Sequence, residues 1–161
     1  MQKLGFRGKL IKVYDANGMD LVIHPEASVI IPILPGNKVV LVRQYRFPIK
    51  KYTWEVPAGC LKKGEAPLVC AKRELEEETG FKAGKIRKLL YFYSSPGFLV
   101  EKMHIYLATN LKKGKQNFDE DEDIDVGIFT IAEIKKLIKS NKLIDSKTLI
   151  ALMYWLNHLK K

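Results

Sequence analysis

Residues 59–81, GCLKKGEAPLVCAKRELEEETGF, constrain this chain more than any other stretch. Their second half predicts a helix over residues 67–79. Pro67 suits the first helical turn, where a missing N–H costs nothing, and Gly80 suits the C-terminal cap. Leu68, Ala71 and Leu75 recur at spacings of three and four and are read as the buried face. Glu74, Glu77 and Glu78 are read as an acidic cluster on the opposite side. Like charges four apart on a bare helix cost about 0.2–0.5 kcal/mol a pair. A divalent cation reverses that sign, and an all-oxygen donor set suits Mg²⁺ or Mn²⁺ better than zinc. Arg73 stands beside the acids and can pair with Glu65 or Glu77. Three glutamates taken alone fit a solvated acidic face equally well.

The full spacing separates these readings. Gly59 is followed by five residues and Glu65, then by seven residues and the run Arg73-Glu74-Leu75-Glu76-Glu77-Glu78-Thr79-Gly80-Phe81. This resembles the signature box of the Nudix hydrolases at every specified position.

Composition narrows the remaining classes. The chain has 161 residues, 47% of them hydrophobic, which predicts one folded domain over residues 1–161 with a core of its own. Net charge is +10, and the lysines fall in scattered pairs rather than one tract. They are read as solvated surface, and nucleic acid is set aside as a partner. Cys60 and Cys70 have neither a disulfide framework nor zinc spacing, which fits a reducing, cytoplasmic setting. No apolar run approaches 18 residues, so no membrane partner is expected. No Gly-x4-Gly-Lys-Ser/Thr loop is present.

Elsewhere, residues 8–14 and 21–23 are read as a hairpin around the turn Asp15-Ala16-Asn17-Gly18. Residues 27–34 and 39–44 read as strands covered on both faces. Residues 85–93, 103–108 and 125–129 are further strands, and residues 132–140 and 147–159 are helices. The bend before Gly59 can turn the Ala58 carbonyl towards the acids as another hard oxygen. Residues 119–123 are five acids in a row, ordinarily a solvated loop. His24, His104, His158, Trp54 and Trp155 are read as packing or surface residues. Tyr45 and Phe98 are candidates to stack on a base.

Several segments outside the box are similar to the ADP-ribose pyrophosphatase branch of the Nudix family. They are His24-Pro25-Glu26-Ala27-Ser28-Val29, Arg43-Gln44-Tyr45-Arg46, Glu55-Val56-Pro57-Ala58 and Ser95-Pro96-Gly97-Phe98 through Glu101. Pro96 falls sixteen residues after Gly80, where that branch has its proline. The resemblance implies an α+β or α/β fold, a Nudix-type α/β/α sandwich with a mixed β-sheet. It implies Mg²⁺-dependent hydrolysis of ADP-ribose to AMP and ribose 5-phosphate, with Mn²⁺ as a substitute. Another nucleoside diphosphate-linked substrate is the alternative. A non-catalytic nucleotide- or RNA-binding module is more remote, because every box carboxylate is present.

Carried over by position, Ala58, Glu74, Glu77 and Glu78 hold the metal. Arg73 and Glu65 brace the box. Arg46, Glu55, Ser95, Pro96, Gly97, Phe98 and Glu101 contact the substrate. Glu120 or Glu122 acts as base or as a ligand to a second or third metal, and Glu77 and Arg73 belong to the catalytic set. The resemblance also implies a homodimer with the N-terminal strands of residues 1–24 at its interface, although that segment is shorter than usual. Gly127 replaces a bulkier residue and is expected to reshape the acidic loop.

Overall fold

The computed structural model describes residues 2–116 and 124–159. The chain opens with β1 (Gln2–Arg7), β2 (Lys12–Ala16) and β3 (Asp20–Ile23), each antiparallel to the next. This three-stranded meander corrects the hairpin expected over residues 8–23. Residues 8–11 form the first turn, closed by Gly8 N donating to Ile11 O at 2.8 Å, and a strand precedes it. The low hydrophobicity of Gln2 and Lys3 concealed that strand.

The central sheet follows. It uses β4 (Ala27–Leu34), β5 (Lys38–Arg46), β6 (Lys51–Glu55) and β7 (Ala58–Cys60). Next come α1 (Pro67–Thr79), β8 (Phe81–Lys82), β9 (Lys85–Tyr93), β10 (Leu99–Val100), β11 (Lys102–Thr109) and β12 (Lys112–Lys113). The chain closes with β13 (Ile124–Phe129), α2 (Ile131–Lys139) and α3 (Ser146–His158). The sheet order is β13-β5-β4-β11-β9, with β6 on β5 and β7 on β4. β4 and β11 are parallel and the other pairs antiparallel, so the sheet is mixed. β10 lies parallel to β3 and joins the N-terminal sheet.

Side chains of a strand alternate between its two faces, and β4 uses both. Ile30 packs with Ala71 and Leu75 of α1. Val29, Ile31 and Ile33 pack with Ile134 of α2 and Ala151, Leu152 and Trp155 of α3. The result is the expected α/β/α sandwich, and its central strand is buried from Ala27 to Ile33 because helices cover both faces. α2 is held by a capping box, with Thr130 and Glu133 exchanging bonds. α3 is capped by Asp145, whose carboxylate accepts from Thr148 N at 3.0 Å and Thr148 Oγ1 at 2.6 Å.

Gly127 lies within β13, opposite Leu41, and the acidic loop it was expected to reshape lies outside the described residues. A Cβ there would stand 2.7 Å from Trp54 Cη2 and 2.7 Å from Phe129 Cε2. These two rings meet edge to face at 4.9 Å over the glycine, and no larger residue fits beneath them.

Candidate active site

The box helix α1 runs between the residues expected, with Gly80 at φ 70° ending it. Its faces differ from expectation. Ala71 and Leu75 are fully buried, but Leu68 is 41% exposed, while Glu74 and Glu78 are only 9% and 4% exposed. The physical reason is helical phase. Glu78 lies seven residues, nearly two turns, after Ala71 and so falls on the same stripe. The acids are therefore wedged against the sheet and are not on the far side. Glu77 remains half-buried.

Arg73 organises the box. Its Nε and Nη2 each donate to one oxygen of Glu65 at 2.9 Å, a bidentate pair joining loop to helix. Its Nη1 donates to Glu74 at 2.6 Å and Glu77 at 2.9 Å, and Nη2 reaches Cys60 O at 3.2 Å. Arg73 pulls the Glu65 carboxyl down to about 2, and Glu65 in turn raises the guanidinium above its ordinary value. Ser28 Oγ donates to Pro67 O at 2.7 Å, pinning the start of α1 to β4.

Ala58 and Gly59 lie on β7, paired with Val29 and Ser28 of β4. A Cβ on Gly59 would stand 1.9 Å from Glu74 Oε1. The missing side chain thus makes the space into which this carboxylate fits. Glu74, Glu77, Glu78 and the Ala58 carbonyl make an all-oxygen donor set, the chemistry a hard divalent cation requires. Among the described residues no three acidic, histidine or cysteine groups stand ready-made as a cage. Arg73 currently draws Glu74 and Glu77 to itself.

Beside Ala58 and Gly59 opens a cavity of about 600 Å³. Arg46, Glu55 and Glu101 line it, as does His24, with Asp145 and Lys147 at the start of α3. Glu55 is 1% exposed and is gripped by several groups. Arg46 donates to its two oxygens at 2.7 and 2.5 Å, and Thr53 Oγ1 and Lys147 Nζ also donate to it. Burial would raise the Glu55 carboxyl, but Arg46 and Lys147 overcome that and hold it at about 2. Lys147 also pairs with Asp145 at 3.0 Å. Arg46, 40% exposed, retains a solvent-facing part suited to an anion.

The structure therefore brings Arg46, Glu55, Ala58 and Glu101 to one cavity. Ser95, Pro96, Gly97 and Phe98 do not line it. They form the turn before β10, with Phe98 N donating to Ser95 O at 3.3 Å and Phe98 O accepting from Val22 N at 2.7 Å. Glu77 borders a separate depression of about 480 Å³ with Arg73, Glu76 and Lys115. Glu120 and Glu122 lie outside the described residues. Tyr45 packs edge on against Tyr52, and Phe98 is 51% exposed. Sequence reasoning missed Thr53, Asp145 and Lys147. Asp145 was legible as a helix cap, whereas no local pattern distinguishes Lys147 from the solvated lysines.

A family model described as NUDIX domain matches residues 24–151. The ADP-ribose pyrophosphatase of Bacillus subtilis (strain 168) is 39% identical over 160 residues, covering 92% of this chain and 86% of the relative. A methanol dehydrogenase activator of Bacillus methanolicus is 46% identical over 138 residues, covering 84% and 74%. The GDP-mannose pyrophosphatase of Enterobacter sp. (strain 638) is 33% identical over 157 residues, covering 89% and 75%. Among solved structures, an ADP compounds hydrolase matches with a TM-score of 0.84 at 25% identity, covering 99% of this chain and 92% of that one.

Proposed function

The chain belongs to the NUDIX family, and from that premise we propose that it hydrolyses the pyrophosphate bond of ADP-ribose, adding water to give AMP and ribose 5-phosphate. The observation carrying this reading is the complete box, with Arg73 tying Glu65 to Glu74 and Glu77. The 39% identity to an ADP-ribose pyrophosphatase over most of both chains favours the substrate.

Glu74, Glu77, Glu78 and the Ala58 carbonyl are the proposed holders of Mg²⁺, with Mn²⁺ as a substitute. Bound there, such an ion supplies charge neutralisation at phosphoryl oxygens and a more acidic water. Arg73 fixes the rotamers of Glu74 and Glu77. Arg46, steadied on Glu55, offers a planar cation to a phosphate, which a lysine would match less well. Glu101 presents a carboxylate in the same cavity, and the Ser95–Phe98 turn leads to it. Glu120 or Glu122 is the proposed base, able to take a proton from water at hydrogen-bonding distance. We assign the enzyme to the cytoplasm as a homodimer. Leu4 and Phe6 on β1, with Met19 in the turn between β2 and β3, are exposed and favour such an interface. GDP-mannose is the second reading, favoured by the 33% identical relative.

The test is product analysis with Mg²⁺ on ADP-ribose, GDP-mannose, NADH and a nucleoside triphosphate. Preferred release of AMP from ADP-ribose is expected. Glu77→Gln and Glu78→Gln should each slow turnover by roughly a hundredfold or more, as loss of charge stabilisation at a reacting centre does. Cleavage of another substrate moves the specificity, and unaltered rates in both variants overturn the metal assignment.

A further inference from the structure

β3 and β10 run parallel with Leu99 opposite Val22 and Val100 opposite Ile23. The next residue along each strand is therefore brought to its counterpart, His24 to Glu101. Nδ1 of His24 stands 3.2 Å from Glu101 Oε1, and the two side chains are 15% and 14% exposed. The second oxygen accepts a hydrogen bond from Ser94 Oγ at 2.5 Å. The backbone repeats the attachment. Ser94 N donates to Glu101 O at 3.2 Å, and His24 N to Val100 O at 3.4 Å. Nδ1 of His24 also faces Pro25 O at 2.8 Å. Protonated at Nδ1, the ring donates to Pro25 O, with Glu101 Oε1 3.2 Å from the same nitrogen. His24 and Glu101 both line the cavity beside Ala58 and Gly59.

A carboxylate with a hydroxyl donating to one oxygen and an imidazole nitrogen beside the other keeps further lone pairs and is restricted in rotation. It accepts hydrogens from hydroxyl groups and repels phosphate. We infer that His24, with Ser94, is a positioning residue that fixes the Glu101 carboxylate to receive sugar hydroxyls of a nucleotide-linked substrate. The inference rests on the reading that the cavity takes such a substrate and that Glu101 contacts it.

The test measures kcat and KM for ADP-ribose, together with melting temperature, in wild type, His24→Leu, His24→Asn and Glu101→Gln. Asparagine carries an amide N–H at about the reach of Nδ1, and leucine has no donor. His24→Leu should raise KM roughly tenfold with kcat within about twofold, the mark of a lost binding contact. His24→Asn should recover most of that loss, and Glu101→Gln should raise KM at least as far. If His24→Leu lowers the melting temperature, Ser94→Ala provides the same KM readout from the other oxygen. Unaltered KM in His24→Leu alongside a raised KM in Glu101→Gln overturns the role of His24 alone. Equal impairment of the Asn and Leu variants does the same. Unaltered KM in Glu101→Gln removes the substrate contact and this inference with it. An inactive wild type overturns the functional reading itself.

Discussion

Arg73 has four carboxylate oxygens of three glutamates within 2.9 Å. A planar fork of five donors can serve them together, and an ammonium cannot. Arg73→Lys should therefore lower kcat roughly tenfold or more while the fold persists, measured by turnover beside circular dichroism. Gly59 is the complementary position. Gly59→Ala forces its methyl into the Glu74 carboxylate. It should cost about 1–3 kcal/mol as an overpacked site and raise the metal concentration needed for half-maximal activity. An unaltered metal requirement would separate Gly59 from the metal site.

At the scale of elements, α1 offers a direct contrast. Leu75 is fully buried and Leu68 is 41% exposed. Leu75→Ala should destabilise by about 2–5 kcal/mol, and Leu68→Ala by no more than about 0.5 kcal/mol in chemical denaturation. α3 is tied to β6 through Glu55 and Lys147, and Val56 N donates to Thr148 Oγ1 at 3.0 Å. The folded Glu55 carboxyl sits at about 2, below its ordinary 4.5. Between these values the unfolded chain binds the proton first, so acidification favours unfolding. The stabilisation is complete above about 4.5 and is lost as pH falls towards about 2. Glu55→Gln should lower the melting temperature at neutral pH and flatten its decline across that acid window. Parallel declines in the two proteins would remove Glu55 as the source.

For the whole molecule, net charge +10 favours approach of an anionic nucleotide. Salt screens this attraction, so kcat/KM should fall several-fold between about 10 mM and about 150 mM salt, as the screening length shortens from about 30 to 8 Å. A flat salt profile would show that steering contributes nothing.

The sequence by itself determined the box helix with both its ends, the buried strand β4 and the two closing helices, while the α/β/α architecture came with the family resemblance. The elements follow from local rules, since a proline, a glycine and an apolar period act within one element. The Arg73–Glu65 brace was legible too, because both partners lie within one motif. Helical phase already sets Glu78 on the Ala71 stripe, whereas tertiary structure alone decided that Lys147 completes the Glu55 cluster and that His24 meets Glu101. Ninety-two residues separate Lys147 from Glu55, and only strand register and helix docking bring such groups together. Periodicity shows that a face is buried. What fills the space against it depends on the partner element, and therefore on the folded chain.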